Sequence, residues 1–206
     1  MIECVIFDMD GTLVDSERLM IRAMSELIPQ ITLSDDELIR KYGGQQLTQT
    51  FAQIEQTYDF ILPDNFEATY RSRVAELIES ELTAFEGVHQ ALTELDVPIC
   101  LATNAPLTKV NQVLLTTKLT GFFEDRLFSA YQIGAWKPEP DLFLHAAKQM
   151  RFEPNQCLVV EDSIFGIQAG LSAGMQVLQY CGAHGDVLHH NFFRQYSEFN
   201  ALVQSG

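Results

Sequence analysis

The chain has 206 residues, of which 47% are apolar and 20% are charged, a composition typical of a globular protein rather than a disordered one. Its formal net charge of −15 argues against nucleic acid or an anionic membrane as a partner, because both are bound through basic patches. A site for an anionic ligand must therefore be made locally positive by a metal ion or by a few placed cations.

The cysteines and the N-terminal region predict a cytoplasmic location. The four cysteines form no C-x-x-C pair, and three of them lie in apolar runs typical of buried strands. Reduced thiols are therefore favoured over a zinc site or disulfide bonds. The N-terminus lacks the pattern of a signal peptide, and no apolar run is long enough to span a bilayer. Nothing in the sequence implies an oligomer.

Five short apolar runs, separated by stretches of helical periodicity, predict the strands of a parallel sheet. The runs cover residues 5–7, 97–102, 126–129, 157–160 and 175–180. They are rich in branched aliphatic residues and apolar on both faces, which is typical of strands buried between two layers of helices. The helical stretches cover residues 87–95, 107–117, 141–150 and 164–172. This alternation predicts an α/β fold with a doubly wound parallel sheet.

Two regions depart from this alternation. Residues 15–86 show helical periodicity and no strand signal, so we expect an all-helical cap inserted after the first strand. Residues 1–14 and 87–206 would then form the core domain. The stretch that follows Gly182 carries only weak signals for any element.

The most informative stretch is Asp8-Met9-Asp10-Gly11-Thr12, which directly follows the first predicted strand. Both carboxylates would face one crevice, where their repulsion raises a pKa unless a cation lies between them. Mg²⁺, which prefers hard oxygen ligands, removes that repulsion and keeps sites for phosphate oxygens. Gly11 allows a sharp turn that exposes backbone N–H groups to an anion. One carboxylate can then attack phosphorus while the other transfers protons.

Further polar residues follow two other predicted strands. Thr103-Asn104 ends the second strand, and Glu161-Asp162 ends the fourth. Ligands of such sheets bind beyond the carboxyl ends of the strands, so we expect these side chains to meet Asp8 there. Asp15-Ser16, a little beyond the first strand, is favoured as the N-terminal cap of the first helix of the insert.

Taken in order, these motifs resemble those of the haloacid dehalogenase superfamily, in its phosphatase and phosphomutase branch. Asp8–Thr12 is similar to the first motif, and Thr103 to the hydroxyl residue that binds the phosphoryl group. Lys137, in Lys137-Pro138-Glu139-Pro140-Asp141, is similar to the lysine that steadies the nucleophile and the phosphate. Glu161-Asp162-Ser163, followed by Gly166, is similar to the acidic motif that holds magnesium. The likeness runs across nearly the whole chain, and four motifs in order are more specific than any one alone.

The resemblance implies a Mg²⁺-dependent phosphohydrolase that acts on a small phosphorylated metabolite in two steps. Asp8 would attack phosphorus, and Asp10 would protonate the leaving alcohol and later activate water. The implied magnesium ligands are an Asp8 oxygen, Asp162 and the Asp10 backbone carbonyl, with Glu161 in support. Phosphate and substrate would be bound by residues of the core motifs and the cap, namely Thr103, Asn104, Lys137, Gly11, Thr12, Gln45 and Arg71.

The same resemblance leaves alternatives within and beyond the family. Dehalogenases lack the carboxylate at Asp10 and need no metal, and phosphonate hydrolases use a cap lysine for which Lys41 is only a distant candidate. The main competitor is β-phosphoglucomutase, which carries a cap histidine and a cap arginine where this chain has Met20 and Gln45-Gln46. A silent phosphate-binding module would not need the complete motif set.

The substrate is indicated only by similarity. The chain is similar to bacterial 6-phosphogluconate phosphatases in stretches such as Leu127–Tyr131 and Trp136–Pro138. A sugar phosphate is therefore the expected substrate, while pyrophosphate and phosphoglycolate stay open. Arg71 and Arg73 are candidate cap cations, with a solvated helix face as the alternative for both.

Overall fold

The protein is built on a six-stranded parallel sheet, as a computed structural model describes for residues 2–43, 45–182 and 185–205. Its strands, in chain order, are β1 (Cys4–Phe7), β2 (Ile99–Thr103), β3 (Leu127–Ser129), β4 (Cys157–Glu161), β5 (Gln176–Tyr180) and β6 (Phe192–Phe193). The strand order across the sheet is β3-β2-β1-β4-β5-β6, which places β1 between β2 and β4. The predicted α/β class and the doubly wound parallel sheet are confirmed.

Helices connect and cover these strands. In chain order they are α1 (Ser16–Leu27), α2 (Asp35–Tyr42), α3 (Leu47–Tyr58), α4 (Phe66–Glu81), α5 (Val88–Thr93), α6 (Leu107–Thr116), α7 (Thr120–Phe123), α8 (Ala130–Ile133), α9 (Asp141–Met150), α10 (Ile164–Ser172) and α11 (Tyr196–Ser205). None of those in the described ranges is long and apolar enough to cross a membrane.

Alternate residues of β1 point into two separate apolar cores, one on each face of the sheet. Val5 and Phe7 are buried with α5, α6, α7 and α11, whereas Cys4 and Ile6 are buried with α9 and α10. The Phe7 ring contacts the rings of Phe123 and Phe199. Burying one such ring stabilises the fold by about 1.5–3 kcal/mol. These two cores fix the carboxyl ends of the strands, where the candidate site lies.

The four helices α1 to α4 lie between β1 and β2, and we call residues 16–81 the helical insert. Within its described residues the insert contains no strand. Its core includes Phe51, whose ring contacts Phe66 and Tyr70 edge-on. A capping box of Ser34 and Glu37 begins α2, because each side chain bonds the backbone N–H of the other residue.

Two local predictions need correction. The stretch after Gly182, which gave only weak signals in the sequence, contains β6 and α11. A strand of two residues is too short to show a periodicity. Phe193 and Phe199 of this region are nonetheless fully buried against the sheet. Asp15 lies at the N-cap position of α1, but its side chain makes no capping hydrogen bond there, and the capping role of Ser16 is wrong. Ser16 is the first residue of the helix, and its hydroxyl donates to Asp10 instead.

Candidate active site

The candidate site lies at the carboxyl ends of the three central strands. Asp8 follows β1, Thr103 ends β2, and Glu161 ends β4. The Asp8 N–H donates to the carbonyl of Val160 at 2.9 Å, so the sheet hydrogen bonding continues as far as Asp8. Because the strands are parallel and in register, these side chains meet at one edge of the sheet, as predicted.

Lys137 joins two of these strand ends. It lies in the loop between α8 and α9, and its side chain is only 3% exposed. Its Nζ donates to Asp8 Oδ1 at 2.5 Å and to Glu161 Oε1 at 2.7 Å. Its backbone N–H donates to Asn104 Oδ1 at 3.1 Å, which anchors the loop to the end of β2. One ammonium group thus neutralises two buried carboxylates.

The electrostatics of this cluster depend on burial. Burial raises the pKa of Asp8 to about 8, and the nearby Glu161 and Asp10 carboxylates add to this rise while Lys137 opposes it. Burial opposes the protonation of Lys137, but Asp8 and Glu161 together raise its pKa above the usual value. Lys137 is therefore charged at neutral pH, whereas Asp8 needs more positive charge than one lysine supplies.

Asp162 directly follows β4 and is held by the first motif. Thr12 Oγ1 donates to Asp162 Oδ1 at 2.8 Å. Gly11 has φ +82°, and a Cβ there would lie 2.3 Å from Asp162 Oδ2, so only glycine permits this approach. Burial and the neighbouring carboxylates of Glu161 and Glu17 raise the pKa of Asp162 well above its usual value. A carboxylate so placed favours a bound cation.

Asp10 is held apart from the Lys137 cluster. Its Oδ1 accepts a hydrogen bond from Ser16 Oγ and another from Lys109 Nζ at 2.7 Å. Lys109 Nζ also lies 3.0 Å from the sulfur of Met20, which is in α1. The two carboxylates of the first motif therefore have different partners, so they can carry out different chemistry.

A cleft of about 280 Å³ opens between this edge of the sheet and the helical insert. Its floor includes Asp8, Asp10, Thr103 and Lys137, and its far wall is formed mainly by apolar residues of the insert. The predicted site residues that line it are Asp8, Asp10, Gln45, Arg71, Thr103, Asn104, Lys137, Glu161 and Asp162. The predicted substrate residues Gly11 and Thr12 do not line it.

The contacts of Gly11 and Thr12 explain their absence from the cleft wall. The Gly11 N–H donates to the carbonyl of Val14 at 2.9 Å, and the Thr12 hydroxyl is used by Asp162. Thr12 is fully buried. These contacts favour a role in holding Asp162 over the direct substrate binding expected from the sequence.

The two candidate residues of the insert reach the cleft from α4 and from the connection between α2 and α3. Arg71, in α4, donates to the Tyr131 hydroxyl at 2.9 Å and pairs with Glu67. Gln45 donates to the carbonyl of Lys41 at 2.7 Å. Arg73 does not line the cleft and pairs with glutamates of the insert, so the alternative of a solvated helix face holds for it.

Lys109 and Tyr131 are among the cleft residues to which the sequence assigned no role. Lys109 is the third residue of α6, and Tyr131 is in α8, directly beyond β3. Both follow the carboxyl end of a strand, where a crevice-facing side chain is expected, and that position is the signal that could have identified them. The Tyr131 ring packs edge-on against Trp136, next to Lys137.

The residues could hold a hard cation, although not by side chains alone. In the described ranges, no three acidic, histidine or cysteine side chains converge closely enough to form a metal site by themselves. The available donors are carboxylate oxygens of Asp8 and Asp162 and the backbone carbonyl of Asp10, all hard oxygens of the kind that Mg²⁺ prefers. Mg²⁺ usually keeps several waters, so an incomplete protein ligand set fits it.

Residues 5–180 match the family model described as haloacid dehalogenase-like hydrolase. The chain belongs to the haloacid dehalogenase-like hydrolases. The family that the sequence resembles is thereby confirmed, and with it the expectation of a phosphoric monoester hydrolase.

Individual relatives cover nearly the whole chain. It is 38% identical over 183 residues to the 6-phosphogluconate phosphatase of Escherichia coli (strain K12), covering 87% of this chain and 83% of that protein. It is 30% identical over 184 residues to a fructose-1-phosphate phosphatase of the same organism, covering 84% and 94%. A crystal structure of a haloacid dehalogenase-like protein of unknown function from Agrobacterium tumefaciens superposes with a TM-score of 0.88 at 27% identity, covering 100% and 99% of the chains.

Proposed function

We propose that this hydrolase is a Mg²⁺-dependent phosphatase that cleaves a sugar phosphate, such as 6-phosphogluconate, through an aspartyl-phosphate on Asp8. The observation that carries the proposal is the separation of the two carboxylates of the first motif. Asp8 is bound by Lys137 on the floor of the cleft, whereas Asp10 is bound by Ser16 and Lys109. A nucleophile and an acid–base group need such different surroundings.

The mechanism has two steps. In the first, an Asp8 oxygen attacks phosphorus, the bond from phosphorus to the leaving oxygen breaks, and Asp10 gives its proton to that oxygen. In the second, Asp10 takes a proton from a water molecule as that water attacks phosphorus. The bond from phosphorus to the Asp8 oxygen breaks, and inorganic phosphate is released. Lys137 holds Asp8 in place and favours its ionised form, and it also provides a positive charge for the phosphoryl oxygens.

Magnesium fits the donors of this site. An Asp8 oxygen, Asp162 and the Asp10 backbone carbonyl would hold the ion, and Glu161 would support it through water. When bound, the ion would neutralise charge that develops on the phosphoryl group. The raised pKa values of Asp8 and Asp162 support this assignment, because buried carboxylates that repel each other favour a cation.

Thr103 and Asn104 are suited to bind the phosphoryl oxygens. The Thr103 Oγ1 accepts the Ala105 N–H at 3.1 Å, so the hydroxyl hydrogen is left to donate. The Asn104 Oδ1 accepts the Lys137 N–H, so the amide nitrogen is left to donate. Both residues line the cleft beside Asp8.

The helical insert would act as a cap that recognises the leaving alcohol. In this division, residues 1–14 and 87–206 form the catalytic core and residues 15–86 form the cap. Gln45 and Arg71 reach the cleft from the cap, and a hydroxyl or carboxylate of the substrate could bind to them. The names of the two Escherichia coli relatives, both phosphatases of sugar phosphates, support this class of substrate.

The decisive experiment is a panel of phosphorylated metabolites assayed for phosphate release with Mg²⁺ or with EDTA, repeated with Asp8→Asn. We expect Mg²⁺-dependent turnover, acid-stable phosphate on the wild-type protein after quenching, and neither with Asp8→Asn. Phosphate release by Asp8→Asn would refute the nucleophile, and binding without turnover would indicate a silent binding module. Interconversion of glucose 1-phosphate and glucose 6-phosphate without free phosphate would instead identify a mutase.

A further inference from the structure

The carboxylate of Asp10 is held at one oxygen by two side chains. Lys109 Nζ, from α6, donates to Oδ1 at 2.7 Å, and Ser16 Oγ, from the start of α1, donates to the same Oδ1. Lys109 follows Thr103 along the chain, whereas Ser16 opens the helical insert. The two donors therefore approach Asp10 from separate parts of the fold.

The contact with Lys109 is largely shielded from water. The side chains of Lys109 and Asp10 are 14% and 19% exposed, respectively, and Met20 Sδ lies 3.0 Å from the ammonium nitrogen. An exposed lysine pair exchanges readily with water and contributes little. An ion pair packed in this way between α1 and α6 holds its carboxylate in one orientation.

We infer that Lys109 is a positioning residue for the proton transfers of Asp10, an inference that rests on the proposed phosphatase function. With Ser16 it fixes Oδ1, which leaves Oδ2 as the oxygen that exchanges protons. The proton on Oδ2 passes to the leaving oxygen as its bond to phosphorus breaks, and Oδ2 then takes a proton from the attacking water. Lys109 itself neither gains nor loses a proton in this sequence.

This role predicts a dependence on the leaving group. A sugar or other alkyl phosphate must receive a proton as its alcohol departs, whereas p-nitrophenyl phosphate releases a stable phenolate that needs none. Loss of Lys109 should therefore impair the first substrate more than the second. The ratio kcat/KM includes every step up to release of the leaving group, so it reports the first step for both substrates and depends on this proton transfer only for the sugar phosphate.

The experiment compares Lys109→Met with wild type on 6-phosphogluconate and on p-nitrophenyl phosphate. We expect kcat/KM to fall by about 100-fold on the sugar phosphate and by roughly tenfold or less on the aryl phosphate. Ser16→Ala, which removes the other donor to Oδ1, should show the same selectivity. Lys148→Met removes an exposed lysine of α9 and should match wild type on both substrates.

Circular dichroism establishes that each variant is folded, and Lys109→Ala, which likewise removes the ammonium group and its hydrogen bond, replaces the methionine variant if that one unfolds. Equal losses on both substrates, or a change in KM alone, would overturn the positioning role and leave the phosphatase function intact. A wild-type protein that hydrolyses neither substrate nor any member of the metabolite panel would refute the proposed function, and the role of Lys109 with it.

Discussion

Gly166→Ala tests whether the buried cluster around Lys137 has the geometry described above. Gly166 is in the first turns of α10, and a Cβ added there would lie 1.8 Å from Glu161 Oε1 and 1.9 Å from its Cδ. The carboxylate of Glu161 must therefore move by more than an ångström. Glu161 is 1% exposed and both of its oxygens accept hydrogen bonds, so this movement breaks contacts in the cluster.

The cost follows from the bonds that this movement breaks. Glu161 Oε1 accepts from Lys137 Nζ at 2.7 Å, and Oε2 accepts from the Ser163 N–H at 2.8 Å and from its hydroxyl at 2.9 Å. Overpacking a core costs about 1–3 kcal/mol, and breaking a buried ion pair costs about 3–5 kcal/mol. Since the two effects overlap, we expect Gly166→Ala to lower the free energy of unfolding by about 3–5 kcal/mol.

The assay is urea unfolding of the metal-free protein, followed by circular dichroism, together with kcat/KM for phosphate release. A displacement of this size in the groups that hold Asp8 should lower kcat/KM by about 100-fold. Gly121→Ala is the matched control, because a Cβ at Gly121 in α7 meets nothing within 4 Å. That control should be neutral or stabilising by about 0.4–1 kcal/mol. Wild-type stability and activity in Gly166→Ala would refute the packing of Glu161 against α10.

Four further predictions concern the charges of the cleft. Lys137→Met leaves Asp8 and Glu161 buried without their cation. The free energy of unfolding, measured in urea, should therefore fall by about 3–5 kcal/mol, and the phosphatase assay should show no turnover. Burial raises the pKa of Asp8 to about 8, and that of Asp162 is raised as well, so the folded chain keeps protons that the unfolded chain has lost. The metal-free protein should therefore lose stability as the pH rises from about 4 to about 8. Mg²⁺ bound at the proposed site would have to displace these protons. In thermal melts at one fixed concentration, a hundredfold above its Kd at pH 8, it should raise Tm by roughly 5–10 °C at pH 8 and by less at mildly acidic pH. Arg71→Ala should raise KM by about tenfold for substrates with a second anionic group, but not for p-nitrophenyl phosphate, in steady-state kinetics.

The sheet could be predicted because its strands carry a local signal. Short apolar runs that end at polar residues identify five strands and also the edge at which the site lies. The order of the strands and the pairing of β6 depend on contacts between distant parts of the chain, which periodicity does not report. Tyr180, Phe193 and Tyr196 form an aromatic cluster that holds β6 and α11 in place. The sequence does not show which aromatic residues meet in such a cluster, because these contacts form only when the chain folds.

The site was predictable where its residues adjoin strand ends and less so elsewhere. Lys109 contacts Asp10 across 99 positions of sequence, and although it follows the carboxyl end of β2, that position does not show which carboxylate its side chain contacts. For Ser16, by contrast, a local sequence signal was present but gave the wrong prediction. A serine at the start of a helix favours a capping role, but the stronger acceptor at Asp10 takes its hydroxyl.

The charges of the cleft explain how so acidic a chain could bind a phosphate dianion. When ionised, the carboxylates that line the cleft carry five negative charges, and the lysines and arginine that line it supply three positive ones. The carboxylates are those of Asp8, Asp10, Glu17, Glu161 and Asp162, and the cations are Lys109, Lys137 and Arg71. The remaining two negative charges would repel a phosphate ester, and one divalent cation would cancel them. Metal and phosphate should therefore bind interdependently, because each reduces the repulsion that the other would meet. Loss of Lys109 would therefore have a second effect, because the cleft would then carry a net negative charge even with the cation bound.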